Sequence, residues 1–253
     1  MTSPLPLGAD VPEDPAVAQI VGHYRDLLGA RLSAQVGVAA ADIVPSGEPS
    51  NPLGILVADE MLALLRTQNG LSVDCFITND GGLRAPIYAG AIQLKHVYEV
   101  MPFDNELVVI EMDGATLQKV ANLIAKKNGE PEAGLRMAID PSAGEASDVQ
   151  VGGVPLDPAK IYHVGTTDYL ADSGWLSALV SKLPTNHTSI LMRDAIIQQL
   201  RARPAGSPPL APPMDDRIRL KPGATLLRSG PPHPASAGAS PPSTAPSAPG
   251  AKP

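Results

Sequence analysis

Apolar residues along the chain shift between helical and strand spacing, with no regular strand–helix–strand repeat. Asp14-Pro15 opens the first helix, pairing a capping carboxylate with a proline at the first helical position. Val17, Ile20, Val21, Tyr24, Leu27, Leu28 and Leu32 follow at intervals of three and four, predicting an amphipathic helix of about five turns. Val44 to Pro52 reads as a loop, and Asn51-Pro52 starts a second helix with Leu53, Val57, Met61 and Leu64 or Leu65 as its buried stripe. Asn69-Gly70 is the expected stop. Val73 to Thr78 reads as a buried strand running into the turn Asn79-Asp80-Gly81-Gly82.

Further on, Leu94 to Val100 is a short helix and Glu106 to Met112 a strand. Asp113 caps a helix carrying Leu117, Val120, Ala121 and Ile124. Leu135 to Ile139 and Val149 to Val151 are two strands around a Ser/Ala/Gly turn, and Lys160 to Thr166 is another. Helices are expected at Leu176 to Lys182 and Ile190 to Arg201, and a last strand at Arg217 to Leu220. The expected organisation is a flexible segment 1–13, a helical linker-type region 14–43, a mixed-sheet α/β domain 44–220 and a tail 221–253. From Ser229 the tail is Pro, Ala, Ser and Gly without apolar periodicity, a composition that cannot offset the entropy of ordering.

At 253 residues and 43% hydrophobic, the chain has material for a sizeable core, and with 3% aromatics that core must be aliphatic. A formal charge of −7 weighs against nucleic acid as partner, since a phosphate backbone wants a basic face. The single cysteine, Cys75, excludes an intrachain disulfide and a multi-thiolate zinc site, and its apolar surroundings mark it as a buried small hydrophobe. No apolar run approaches the ~18 residues of a membrane-spanning segment, and the first twenty residues show no signal-peptide pattern.

Three stretches carry candidate chemistry. In Asn79-Asp80-Gly81-Gly82-Leu83-Arg84, glycines allow close backbone approach and positive φ, exposed amides can receive an oxyanion, and Arg84 offers a planar fork suited to phosphate. The plain alternative is a tight turn followed by a surface arginine. In Met101-Pro102-Phe103-Asp104-Asn105, Phe103 is either an anchor onto the core or a ligand-stacking ring. In Asp168-Tyr169-Leu170-Ala171-Asp172-Ser173-Gly174-Trp175, Tyr169 suits stacking and an aspartate suits sugar hydroxyls; the alternative is a packed loop capped by Asp172. The five histidines are scattered, and no P-loop, Rossmann or nucleophile-elbow pattern is present. The converging carboxylates and imidazoles of a two-metal phosphatase are missing as well.

In this order and spacing the three stretches resemble the Asn-Gly-Gly-Gly-Ile-Arg, Leu-Pro-Phe-Gly-Asn and Asn-Phe-Leu-Ala motifs of the 5′-nucleotidase C-terminal domain. Glu48-Pro49-Ser50-Asn51-Pro52-Leu53-Gly54, Asp113-Gly114 and Leu156-Asp157-Pro158 are further echoes, and the likeness runs over about residues 14–220. The resemblance implies a four-layer α-β-β-α sandwich with mixed sheets. It implies a substrate domain that binds nucleotide or nucleoside through Asn79, Gly81, Gly82, Arg84, Phe103, Asn105, Tyr169 and Asp172, with Phe103 and Tyr169 clamping the base. It places no catalytic residue and no cofactor in this chain. The divalent metal pair is expected only in a separate metallophosphatase domain or chain, so the chain alone should not hydrolyse phosphoesters. Family members are mostly exported, which favours periplasm or cell surface. The sequence departs from the motifs in three places: Asp80 stands at the first glycine of the triplet, no arginine precedes Asn51 in Val44 to Glu48, and Trp175 stands where an aspartate is usual. These departures predict weak phosphate and ribose contacts, and they leave a non-catalytic nucleoside-binding module as the alternative to a hydrolase domain.

Overall fold

The computed structural model describes residues 14–68, 70, 72–213 and 215–227, with backbone alone for 23–27. The expected flexible segment 1–13, most of the Pro/Ala/Ser-rich tail, Asn69 of the helix stop, and the Tyr24 and Leu27 stripe positions lie outside the described residues or side chains.

Asp14 caps α1 (Pro15–Leu32) through the amides of Ala16 and Val17. The next elements are β1 (Gln35–Ala39), α2 (Pro52–Thr67), β2 (Cys75–Ile77), β3 (Gly90–Gln93), α3 (Leu94–Val100), β4 (Glu106–Asp113) and α4 (Gly114–Lys126). They are followed by β5 (Glu132–Ala133), β6 (Leu135–Asp140), β7 (Glu145–Val151), β8 (Val154–Pro155), β9 (Ile161–Thr167), α5 (Asp168–Asp172), α6 (Ser177–Val180), β10 (Thr185–Leu191), α7 (Met192–Ala202) and β11 (Ile218–Leu220). No helix among the described residues is long and apolar enough to cross a membrane.

Five strands form one mixed sheet in the order β10-β4-β9-β2-β5, parallel only between β9 and β2. Four form a second in the order β11-β6-β7-β8, parallel only between β11 and β6, and β1 pairs with β3 in a separate ribbon. The two faces of the five-stranded sheet found two cores. Phe76, Leu107 and Val109 face Leu53, Met61 and Leu65 of α2, Val97 of α3 and Ile196 and Leu200 of α7. Ile77, Val108, Ile110 and Val164 face Leu117, Val120 and Ile124 of α4 and Met137, Ile139 and Val151 of the second sheet. This is the expected α/β fold with mixed sheets, with α4 packed against both of them. The unbroken apolar run Leu107–Ile110 follows from it, because a central strand buries both faces. Cys75 is a fully buried small hydrophobe, and burial pushes its thiol pKa far up.

The structure adds to the sequence reading at several points. Strands β1, β3, β5, β8 and β10 were not foreseen. β10 (Thr-Asn-His-Thr-Ser-Ile-Leu) is an edge strand with a largely exposed, polar pattern that carries no period-2 signal. Val36, Ala39 and Ile43 lie in the first core, so the stretch 35–43, expected to belong to the linker region, is packed with the sheeted domain. Residues 221–227, assigned by composition to the tail, are held at two points: Lys221 N–H donates to Ile139 O, and Leu227 exchanges two hydrogen bonds with the Asn128 side chain. The stripe expected to make α1 amphipathic leaves Val17, Ile20, Val21 and Leu28 exposed.

Phe76 is the largest fully buried side chain and sits between α2 and the sheet. Phe76→Ala is expected to cost about 3–5 kcal/mol in urea unfolding at unchanged m-value; a loss below about 1 kcal/mol would contradict this packing.

Candidate functional site

β2 and β9 run parallel, and β4 runs antiparallel to β9 with Leu107 opposite Thr167. The carboxyl ends of β2 and β9 and the amino end of β4 therefore lie at one end of the sheet. The segments leaving those ends are 79–84, 168–175 and 101–105, the three stretches singled out in the sequence. The carboxyl-end crevice of such a sheet is where α/β folds receive ligands.

Hydrogen bonds tie the segments into a ring. Arg84 N–H donates to Val100 O at 2.8 Å, joining the glycine turn to the Phe103 loop. Asp168 Oδ1 accepts from Glu106 N–H at 3.1 Å and from Tyr169 N–H at 2.7 Å, joining that loop to the third segment. The Lys127 ammonium lies 6.0 Å from the Trp175 ring centroid and 2.9 Å from Glu130 Oε1, and Glu130 Oε2 accepts from Asp80 N–H at 2.9 Å, which closes the ring.

Phe103 and Tyr169 are 49% and 48% exposed. That removes the core-anchor alternative for Phe103, because no core needs a ring left half in water. The Phe103 loop is clamped from below by the buried Arg193 of α7. Its guanidinium donates to the carbonyls of Met101 and Phe103 at 3.4 Å, pairs with Asp104, and lies 4.4 Å from the Tyr98 ring centroid. Asn105 contributes its carbonyl to Met192 N–H at 2.8 Å, fixing the end of the loop against α7. Asp172 ends α5 in an exposed position. Trp175 packs against the second core, and its indole N–H is buried without a partner.

The glycine turn differs from expectation. Asp80–Gly82 is a single 3₁₀ turn, and neither Gly81 nor Gly82 adopts positive φ. Their small size serves the Asn79 amide instead: a Cβ on Gly81 would lie 3.1 Å from Asn79 Nδ2, and one on Gly82 3.4 Å from Asn79 Oδ1. The amides expected to receive an oxyanion are mostly taken. Asp80 N–H goes to Glu130, Gly82 N–H to Asn79 O and Leu83 N–H to Asp80 O, which leaves the Asn79 and Gly81 N–H groups outside these bonds. Arg84 is exposed, with its guanidinium turned back over Gly81 O at 3.4 Å.

Asp80 is exposed as a residue, with its carboxyl flanked by Asn51 and Glu130. It accepts a hydrogen bond from Asn51 Nδ2, the residue whose Oδ1 also caps α2 through Gly54 N–H at 2.6 Å. Burial and the neighbouring Glu130 carboxylate push the Asp80 carboxyl up to about 7. Burial raises Glu130 as well, against the pull of Lys127. Next to the turn, the buried Glu132 is pushed up to about 8 by desolvation, in spite of Arg217, and one of its oxygens has no partner. Glu130, Lys127 and Arg193 escaped the sequence reading. Arg193 left one trace, a charged residue within the apolar stripe of α7, whereas nothing in Asn128-Gly129-Glu130-Pro131 marks Glu130 as a partner of a turn fifty residues earlier. Among the described residues, no three His, Cys, Asp or Glu side chains come together in a way that could hold a metal ion.

Residues 33–179 match the model of the 5′-nucleotidase C-terminal domain, and the chain belongs to that family. It is similar to endonuclease YhcR of Bacillus subtilis, 27% identical over 62% of this chain and 13% of that protein. It is also similar to protein UshA of Yersinia enterocolitica, 26% identical over 70% of this chain and 32% of that protein. Among solved structures, a 5′-nucleotidase precursor from Thermus thermophilus superposes with a TM-score of 0.65 at 26% identity, over 83% of this chain and 44% of that one. The chain thus spans less than half the length of each of these relatives.

The raised carboxyls set the pH dependence of stability. Asp80 and Glu132 hold their protons more tightly folded than unfolded, so folding takes up protons between the ordinary carboxylate range and about pH 7 to 8. The contribution of these two groups to stability is then full below that window and falls as pH rises through it. The melting temperature is expected to drop between about pH 5.5 and pH 8.5, and Asp80→Asn combined with Glu132→Gln to flatten the drop; a wild-type slope of opposite sign would show that these carboxyls are not buried as described.

Proposed function

We propose that the chain is the nucleotide- or nucleoside-binding domain of a 5′-nucleotidase-type phosphoester hydrolase of nucleotide catabolism. The observation that carries this reading is the pair of half-exposed rings, Phe103 on its loop and Tyr169 at the start of α5, on segments joined by the Asp168–Glu106 bond. Aromatic rings left in water at the ligand-receiving end of a sheet suit a flat heterocycle, and sequence-tolerant base stacking is worth roughly 1–3 kcal/mol per base. Asn79, Gly81, Gly82 and Arg84 stand on the phosphate side, and Asn105 and Asp172 on the sugar side. A metallophosphatase domain or chain supplies the divalent metals and the hydrolytic step, and this chain alone binds without turnover. Periplasm or cell surface is the location that goes with this reading.

Calorimetric titration of the full chain with adenosine is expected to give saturable binding, weakened by Phe103→Ala and by Tyr169→Ala by about 5- to 100-fold each. Binding untouched by both substitutions would place the ligand elsewhere. Phosphate release from AMP by the chain alone, with divalent metal added, is expected at the buffer rate; turnover abolished by a chelator would overturn the division of labour.

A further inference from the structure

We propose that Asp80 gates the charge of the ligand accepted at the 79–84 turn: a phosphate monoester is admitted while Asp80 carries its proton and turned away when it does not, whereas an uncharged nucleoside is bound alike in both states. The inference rests on the nucleotide- or nucleoside-binding reading and adds the regulation of that same site.

The first ground is the occupancy of the turn. A glycine-rich turn receives an anion through free backbone N–H groups. Here a resident carboxylate already holds one of them, since Asp80 N–H donates to Glu130 Oε2, and two more are closed within the turn. An incoming phosphate is left the Asn79 and Gly81 N–H groups and otherwise depends on side chains.

The second ground is the charge that faces Asp80. From the segment after α4 come Glu130 and Lys127, from the loop before α2 comes Glu48, and from the start of α2 comes the neutral Asn51 amide. Arg84, on the turn itself, is turned towards Gly81 O. Lys127 is committed to Glu130 at 2.9 Å, and Arg193 below the Phe103 loop is committed to Asp104 and two carbonyls. With Asp80 ionised, the carboxyls of Asp80, Glu130 and Glu48 share one close cation, Lys127. With Asp80 neutral that crowding loses one negative charge.

The third ground is hydrogen-bond chemistry. Phosphate oxygens of a monoester dianion accept only, and so does a carboxylate, so the two repel both as charges and as partners. A protonated carboxyl donates. Asn51 Nδ2 occupies Oδ1 of Asp80, which leaves Oδ2 to carry the proton and offer it to a phosphate oxygen. Burial together with Glu130 keeps that proton on until near neutrality, so the gate works at ordinary pH rather than in strong acid.

The test is titration of the full chain with AMP and with adenosine at about pH 6 and about pH 8.5, on wild type and on Asp80→Asn. The near-isosteric amide keeps an acceptor for Asn51 and cannot ionise; Asp80→Ser is the second neutral variant, and thermal unfolding confirms that each is folded. The expected result is that raising the pH weakens wild-type AMP binding about tenfold more than AMP binding by either variant, while adenosine changes little in any of them. Comparing proteins with the same ligand cancels the phosphate's own ionisation. Equal pH dependence of AMP binding in wild type and both variants overturns the gate, and so does an adenosine affinity that falls with pH as AMP does. Failure of adenosine to bind at all overturns the binding reading itself, and the gate with it.

Discussion

The register of β9 between β2 and β4 is the constraint on which the site depends. Its tightest point is Gly165, where a Cβ would sit 2.7 Å from Leu65 Cδ1 and 2.8 Å from Phe76 Cδ2. Helix α2 can lie that close to the sheet only because position 165 has no side chain. With α2 seated, Phe76 is sealed and the three central strands are fixed relative to one another. The glycine turn, the Phe103 loop and the Tyr169-bearing α5 then lie together at one end of the sheet. A slip of one residue along β9 would turn each of its side chains to the opposite face and separate the segments that Asp168 and Glu106 now join.

Charge is used in two ways around this frame. Arg217, just before β11 of the second sheet, grips Asp59 of α2 at 2.8 and 3.0 Å, Asp215, and the Glu132 carbonyl of the first sheet. It ties both sheets to one helix with a cation that two carboxylates and a carbonyl satisfy, the condition under which a buried charge is tolerated. Around the glycine turn the balance is less complete. Asp80, Glu130 and Glu48 crowd together with Lys127 as close counter-ion, and burial pushes the carboxyls of Asp80 and Glu130 upward. The same burial that closes the turn makes its charge depend on pH.

Membership of the 5′-nucleotidase C-terminal domain family accounts for the architecture and for the position of the three segments. It does not account for how this chain fills its own turn. Asp80 brings a carboxyl to the place where the resemblance led one to expect glycine, and the neighbouring Asn51 and Glu130 are bonded to it rather than turned towards solvent. Trp175, at the position where an aspartate is usual, packs on the second core and meets Lys127. The departures form a connected set of contacts.

Local chemistry along the chain determined much of this protein. Asp14-Pro15, Asn51-Pro52 and Asp113-Gly114 set helix starts because caps act within three residues. The runs Leu107–Ile110 and Val73–Thr78 marked buried strands, and the order of the three motifs pointed to the family and to Phe103 and Tyr169. Tertiary structure decided what depends on partners distant in sequence. The polar edge strand β10 exists because β4 offers it a ladder, and the two-residue β5 because β2 does. The glycine turn lost the Asp80 N–H to Glu130, and the Phe103 loop gained its clamp from Arg193, ninety residues later. Long-range hydrogen bonds and buried charge leave no periodicity in a sequence, because they are set by which loops the sheet register brings together.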